Sequence, residues 1–338
     1  TTLGRAEAEL GFQDMARNPS NNRRVGYTLE QIQAFRTHFG TLPGRDPATD
    51  APMVIAIQNF KGGVGKSTTC VNFAHYLGLK GYRVLVVDAD SQATTTSMFG
   101  YVPDADIEAD QTVLPYLVGE QSNLAYAIRP TYFPNVSLIP SCLALYEAEM
   151  QIVVQLATQP DPTRRAAFFS ELRQGIETVM ADYDIVLIDS PPALGTISIS
   201  VLLAADALMV PSAAKMFDFA STVQFFRMIH TYIERIDPNK SYRWISVLTT
   251  LFDQRYESQK QFVEVMRQCF GESVFQRVFF HSSEVINTAV QFNTPYEQEK
   301  PRREVLKMMD HVFGEAELAI LREWPSKRAQ LNEQGVAA

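Results

Sequence analysis

A doubly wound α/β fold, with a mostly parallel sheet covered by helices on both faces, is predicted from three features of this 338-residue sequence. Short runs rich in Val, Ile and Leu recur between longer helical stretches, and they are apolar throughout rather than alternating, as strands buried on both faces are. A glycine-rich turn ending in a lysine, Gly62-Gly63-Val64-Gly65-Lys66, separates the first such run from the first long helical pattern. Two further runs close on acids, Asp88 and Asp189, and in sheets of this kind ligands gather at the carboxyl ends of the strands.

In chain order, residues 1–45 read as a small α-rich domain of their own. They carry six arginines (Arg5, Arg17, Arg23, Arg24, Arg36, Arg45) against four acids, a net +2 in a chain of net −8, which leaves −10 for the rest. Thr28 followed by Gln31 is a capping box, so a helix begins there after a turn containing Arg23 and Arg24. From Gly40 to Pro52 the proline and glycine content is too high for regular structure, and residues 46–52 are read as a linker. A larger domain follows over 53–325, with a polar tail at 326–338. Its strands are expected near 54–59, 83–88, 136–140, 184–189, 207–211, 244–250 and 274–280. Its helices are expected near 66–79, 164–181, 218–236, 256–270 and 302–322.

The glycine-rich turn is a phosphate-binding loop. Gly62, Gly63, Val64 and Gly65 allow successive backbone N–H groups to converge on an anion, and Lys66 reaches the terminal phosphates. Ser67, followed by Thr68, offers a hydroxyl to Mg²⁺ at the start of a helix. A nucleoside triphosphate is the expected ligand. Asp88 and Asp90 close the second strand on the same edge, where carboxylates orient water or hold Mg²⁺. Asp189 closes an apolar strand in the form of a Walker B motif, which makes Ser67, Asp88 and Asp189 the expected metal residues.

Where the general loop pattern has glycine this chain has Phe60, and it carries a second lysine, Lys61. This resembles the deviant P-loop of the ParA/MinD ATPases, and the resemblance covers about residues 52–300, nearest in character to large plasmid partition ParA proteins such as RepA of repABC plasmids. It implies that Lys61 acts across an ATP-dependent homodimer, that Asp90 places the attacking water, and that Lys61, Lys66 and Asp90 form the catalytic set. It implies ATP and Mg²⁺ as cofactors, slow intrinsic ATPase turnover, binding to non-specific DNA and release stimulated by a ParB-like centromere-binding partner. Arg255, after the strand at 244–250, matches an arginine that contributes to DNA binding in the family. The chain departs from small ParA proteins at Glu284, where they carry a DNA-contacting arginine, so Lys300, Arg302, Arg303 and Lys307 are taken as the replacement patch. Residues 23–32 resemble the wing and following helix of a winged helix-turn-helix, so Arg17, Arg23 and Arg24 are assigned to phosphates of operator DNA.

Other classes are weaker. Three widely spaced cysteines without a CxxC pair support neither a disulfide framework nor a metal cluster, and Asn239-Lys240-Ser241-Tyr242 lacks the aspartate of a guanine-reading motif. There is no apolar run of about 18 residues and no secretory layout at the N-terminus, so a cytoplasmic, nucleoid-associated protein without a membrane partner is expected. A ParA/MinD-like ATPase that positions a protein or membrane cargo is the alternative. The residues from 327 onward carry too little apolar surface for a membrane-binding amphipathic helix.

Overall fold

The computed structural model describes residues 2–12 and 26–333. Its strands are β1 (Met53–Ile57), β2 (Val84–Asp88), β3 (Arg129–Pro130), β4 (Val136–Ile139), β5 (Ile185–Asp189), β6 (Ala207–Ala213) and β7 (Trp244–Thr250). They form one sheet in the order β3-β4-β2-β5-β1-β6-β7, parallel throughout except for the two-residue pairing of β3 with β4. The register is what builds the site. Ile57 of β1 pairs with Asp189 of β5, and Asp189 pairs with Asp88 of β2, so three neighbouring strands end in one row.

Every residue of β1, β2 and β5 is buried, because helices cover both faces. Alternate side chains therefore feed two cores. Met53, Ile55 and Ile57 face α3 (Lys66–Lys80), α11 (Ser283–Val290) and α12 (Arg303–Glu323). Val54 and Ala56 face α7 (Pro162–Glu177), α8 (Thr196–Ala204), α9 (Met216–Ile236) and α10 (Glu257–Phe270), with Leu145 of α6 (Ala144–Thr158) in the same core. Three of these helices, α6, α8 and α11, are additions to the elements expected from sequence, as are the short turns Thr94–Met98 and Leu114–Leu117.

The strand expected at 274–280 does not form. Phe275 and Phe279 do donate to Val247 O and Thr249 O, but between them the N–H groups of Gln276 and Arg277 turn to the Glu315 carboxylate of α12, at 2.7 and 3.0 Å. A side chain thus takes the donors that a ladder would need.

The described part of the N-terminal segment consists of α1 (Thr2–Glu9) and α2 (Leu29–His38). The Thr28/Gln31 capping box is present at α2. Phe12 and Tyr27 pack edge-on to Phe35, and Tyr27 donates to Glu7 at 2.5 Å. Arg36 donates to Leu79 O, seating α2 on the end of α3. The wing and its Arg17, Arg23 and Arg24 lie outside the described residues. Residues 46–52 are irregular but firmly held. Asp50 accepts from Asp46 N and from the backbone and hydroxyl of Ser326, and Trp324, 1% exposed, donates its indole N–H to Ala51 O. The stretch read as a polar tail is helical at its start, in a last helix over Pro325–Glu333. No helix among the described residues is long and apolar enough to cross a membrane.

Candidate nucleotide site

The loop after β1 is tethered by three other strand ends. The Asn59 amide donates to Pro211 O at 2.7 Å while its oxygen accepts from Lys61 N–H at 3.1 Å. Ser190 donates to Ile57 O, and Thr250 donates to Val64 O, both at 2.8 Å. Gly63 and Gly65 have φ of +72° and +88°, where a side chain would be strained. Asn59, Ser190 and Thr250 were not selected from the sequence, since polar residues at strand ends carry no motif of their own.

The two loop lysines point to different work. Lys66 is buried, donates to Lys61 O at 3.1 Å, and burial lowers its pKa against the opposing pull of Asp189 and Asp90. Lys61 leaves the loop and reaches Asp218 at 2.5 Å. Asp218, 4% exposed in the first turn of α9, is a second site residue that no sequence pattern marked, because its partner lies 157 positions away.

The three carboxylates have distinct surroundings. Asp88 is committed to structure: one oxygen accepts from Thr96 N and Oγ1 at 2.8 and 2.7 Å, the other from Asp90 N at 3.1 Å, and burial raises its pKa well above the usual range. Both oxygens of this expected metal residue thus brace the turn after β2. Asp189 accepts from Thr95 Oγ1 at 2.8 Å, while its Oδ1 is buried with no hydrogen-bond partner among the described residues. Burial pushes it up to about 6. A buried carboxylate oxygen facing no donor, beside a loop serine, is the donor set a divalent cation would satisfy. Asp90 lies two residues past Asp88, with one oxygen on Gln92 N at 3.0 Å, and burial raises its pKa against the effect of Lys66.

Beside the loop, an apolar cavity of about 340 Å³ is lined by Gly65, Thr68, Leu251, Val285, Ile286 and Ala289. Leu251 holds φ of +51°, a strained backbone for a branched side chain, at this wall. A second cavity of about 390 Å³ brings together Arg255, His281 and Arg302. Both arginines have internal partners: Arg255 grips Asp253 at 2.6 Å, and Arg302 lies 3.5 Å from Glu284, which also accepts from Arg302 N. Lys300, Arg303 and Lys307 are exposed around the start of α12. Glu284 thus meets the basic patch and partly neutralises it.

A family model described as an AAA domain matches residues 52–241. Protein SopA of Escherichia coli (strain K12) is 38% identical over 292 residues, covering 86% of this chain and 74% of that protein. A putative replication protein A of Rhizobium rhizogenes is 29% identical over 341 residues, covering 95% and 83%. A solved structure of a putative plasmid partition protein from Borrelia burgdorferi B31 bound to AMPPNP superposes with a TM-score of 0.64 at 21% identity, covering 79% of this chain and 99% of that one.

Proposed function

The chain belongs to the ParA-type family of deviant P-loop ATPases, and from that premise we propose that it is an ATP-dependent DNA-partition ATPase. The observation that carries this reading is the convergence, at one sheet edge, of the Gly63–Lys66 loop, the unpartnered Asp189 oxygen and Asp90. Lys66 and the loop N–H groups hold the triphosphate of the subunit's own nucleotide, and the apolar cavity beside Gly65 and Thr68 takes the base. Magnesium, when bound, neutralises phosphate charge; Ser67 and Asp189 are the residues that would hold it. Asp90, raised by burial, accepts a hydrogen bond from the attacking water and orients it.

Lys61 is parked on Asp218 in the single chain, so it contributes nothing to its own phosphates there. Formation of the ATP dimer transfers it to the partner's nucleotide, and the dimer then presents Arg255, Lys300, Arg302 and Arg303 of both copies to DNA. A ParB-like protein stimulates hydrolysis, and the DNA is released. Arg17, Arg23 and Arg24 give the N-terminal module a separate contact with operator DNA.

The test is a salt titration of binding to random-sequence DNA with no nucleotide, ADP, ATP and a non-hydrolysable analogue. Tight binding only with ATP or the analogue, falling steeply with salt, is expected. Affinity that ignores the nucleotide would point to a cargo-positioning role instead.

A further inference from the structure

Asp189 ends β5, and the segment after it has little backbone bonding to hold it. Ser190–Gly195 is irregular and contains Pro191 and Pro192, which have no N–H to donate, so its position depends on contacts at its two ends. The near end is bound to the phosphate loop. Ser190 donates to Ile57 O at 2.8 Å, and Pro192 stands 4.0 Å from where a Cβ on Gly62 would lie. The far end is Gly195, the N-cap of α8, which is extended at φ −131° and has no side chain with which to cap the helix.

That end is completed from another element. The Glu149 carboxylate of α6 accepts from Ile197 N and from Thr196 Oγ1, both at 3.1 Å and both through Oε1. One oxygen thus takes the place of the missing cap, and its negative charge sits where the dipole of α8 favours it. Gly195, lacking a Cβ, leaves the carboxylate room to approach. Ser198 adds a bond from its hydroxyl to Ala193 O inside the turn. Helix α6 is itself fixed, since Leu145, Ala148 and Ile152 to either side of Glu149 are buried. The clamp therefore ties the turn after Asp189 to an anchored helix.

We propose that Glu149 is a positioning residue for ATP hydrolysis: by capping α8 it fixes Ser190–Gly195, and through that turn the Asp189 carboxylate and the Gly62 side of the phosphate loop. It touches neither nucleotide nor metal, and its role rests on the ATPase reading. Released at Gly195, the turn keeps the Ser190 tether and the Pro192 contact but loses the bonds that set its far end. A misplacement of about 1 Å caused by a remote change costs on the order of 10²-fold in rate.

The test uses the full chain with ATP and Mg²⁺ in single-turnover phosphate release, beside nucleotide affinity, light scattering and amide exchange. Glu149→Ala is expected to slow hydrolysis about tenfold or more while ATP affinity and the ATP dimer change by less than about threefold, because the Gly63–Lys66 cradle remains. Its Ile197 amide exchanges faster. Glu149→Gln keeps an oxygen that accepts from both donors and is expected to restore the rate to within about threefold of the wild type. Glu315→Ala, which removes a carboxylate that likewise accepts from two donors but on the α12 side of the sheet, controls for lost stability and keeps the wild-type rate. An unchanged rate in Glu149→Ala despite faster Ile197 exchange would make the clamp a helix cap only and overturn the proposal. So would an equal loss in Glu315→Ala, no recovery with glutamine, or a fall that tracks loss of ATP binding or of the dimer. A wild type that does not hydrolyse ATP overturns the ATPase reading and this role with it, whereas an active wild type beside an equally active Glu149→Ala overturns this role alone.

Discussion

Lys61 reaches Asp218 while Lys66 folds onto the loop carbonyl, so removing the two amines disturbs different steps. Lys66→Ala abolishes ATP binding. Lys61→Ala keeps most of it but forms no ATP dimer, and its turnover falls by about 10³–10⁵, as when a charge supplied in trans is lost. Light scattering with a fluorescent nucleotide distinguishes the two, and an ATP-dependent dimer of the Lys61 variant would end the trans assignment. Asp218→Ala releases Lys61 and is expected to raise the dimer fraction at a given ATP concentration. Asp90→Ala retains ATP and DNA but turns over slowly, in a single-turnover assay of phosphate release. The motif residues were legible because their spacing is local. Asp218, Asn59 and Thr250 were not, since each is tied to a partner more than 150 positions away. Asp189 adds a pH signature. Its folded pKa, about 6, lies above the ordinary carboxylate value, so the folded state holds the extra proton between about pH 4 and 6. Stability at this residue is full below that window and declines through it, by roughly 3 kcal/mol. Asp189→Asn does not titrate and is expected to gain on the wild type between pH 4 and 7 in urea melts of the nucleotide-free protein, while losing Mg²⁺-dependent nucleotide affinity.

At the scale of elements, the continuous apolar runs identified the central parallel strands, and the two cores follow from their alternation. Periodicity failed where a side chain intervened. The stretch 274–280 is strand-like in composition, yet Glu315 captures two of its amides from across the α10–α12 gap. Glu315→Ala is expected to cost about 1–2 kcal/mol and to speed amide exchange at Gln276 and Arg277, since two donors are left to water. The acidic helix α6 escaped notice because it is apolar on two sides and lacks the single stripe that marks a helix with one buried face. Gly195 shows how tightly it is docked: a Cβ there would meet the Glu149 carboxylate at 2.2 Å. Gly195→Ala is therefore expected to break the Glu149 clamp and loosen the turn after Asp189, seen as faster exchange of the Ile197 amide.

For the whole molecule, charge is segregated, with bases gathered near residues 300–307 and in the N-terminal 45 residues. Deleting residues 1–45 should leave ATP-dependent binding to random DNA largely intact, whereas Arg302→Ala/Arg303→Ala should weaken it for all sequences and lower the salt slope by about 0.9 per lost phosphate contact. Loss of all DNA affinity on deletion alone would assign binding to the N-terminal module. The strand order has a further consequence during synthesis. Met53 pairs with Ile185 and Ile55 with Ala207, so β1, an interior strand held between β5 and β6, is the first made and waits over 130 residues for a neighbour. At roughly 5–20 residues per second, that strand leaves the ribosome some 7–25 s before β5 arrives. β2 depends on β5 in the same way, apart from the short strand β4 between it and the edge. Nascent chains ending before residue 185 should accordingly stay protease-sensitive and hold to chaperones, and resistance should appear in one step once β5 and β6 have emerged.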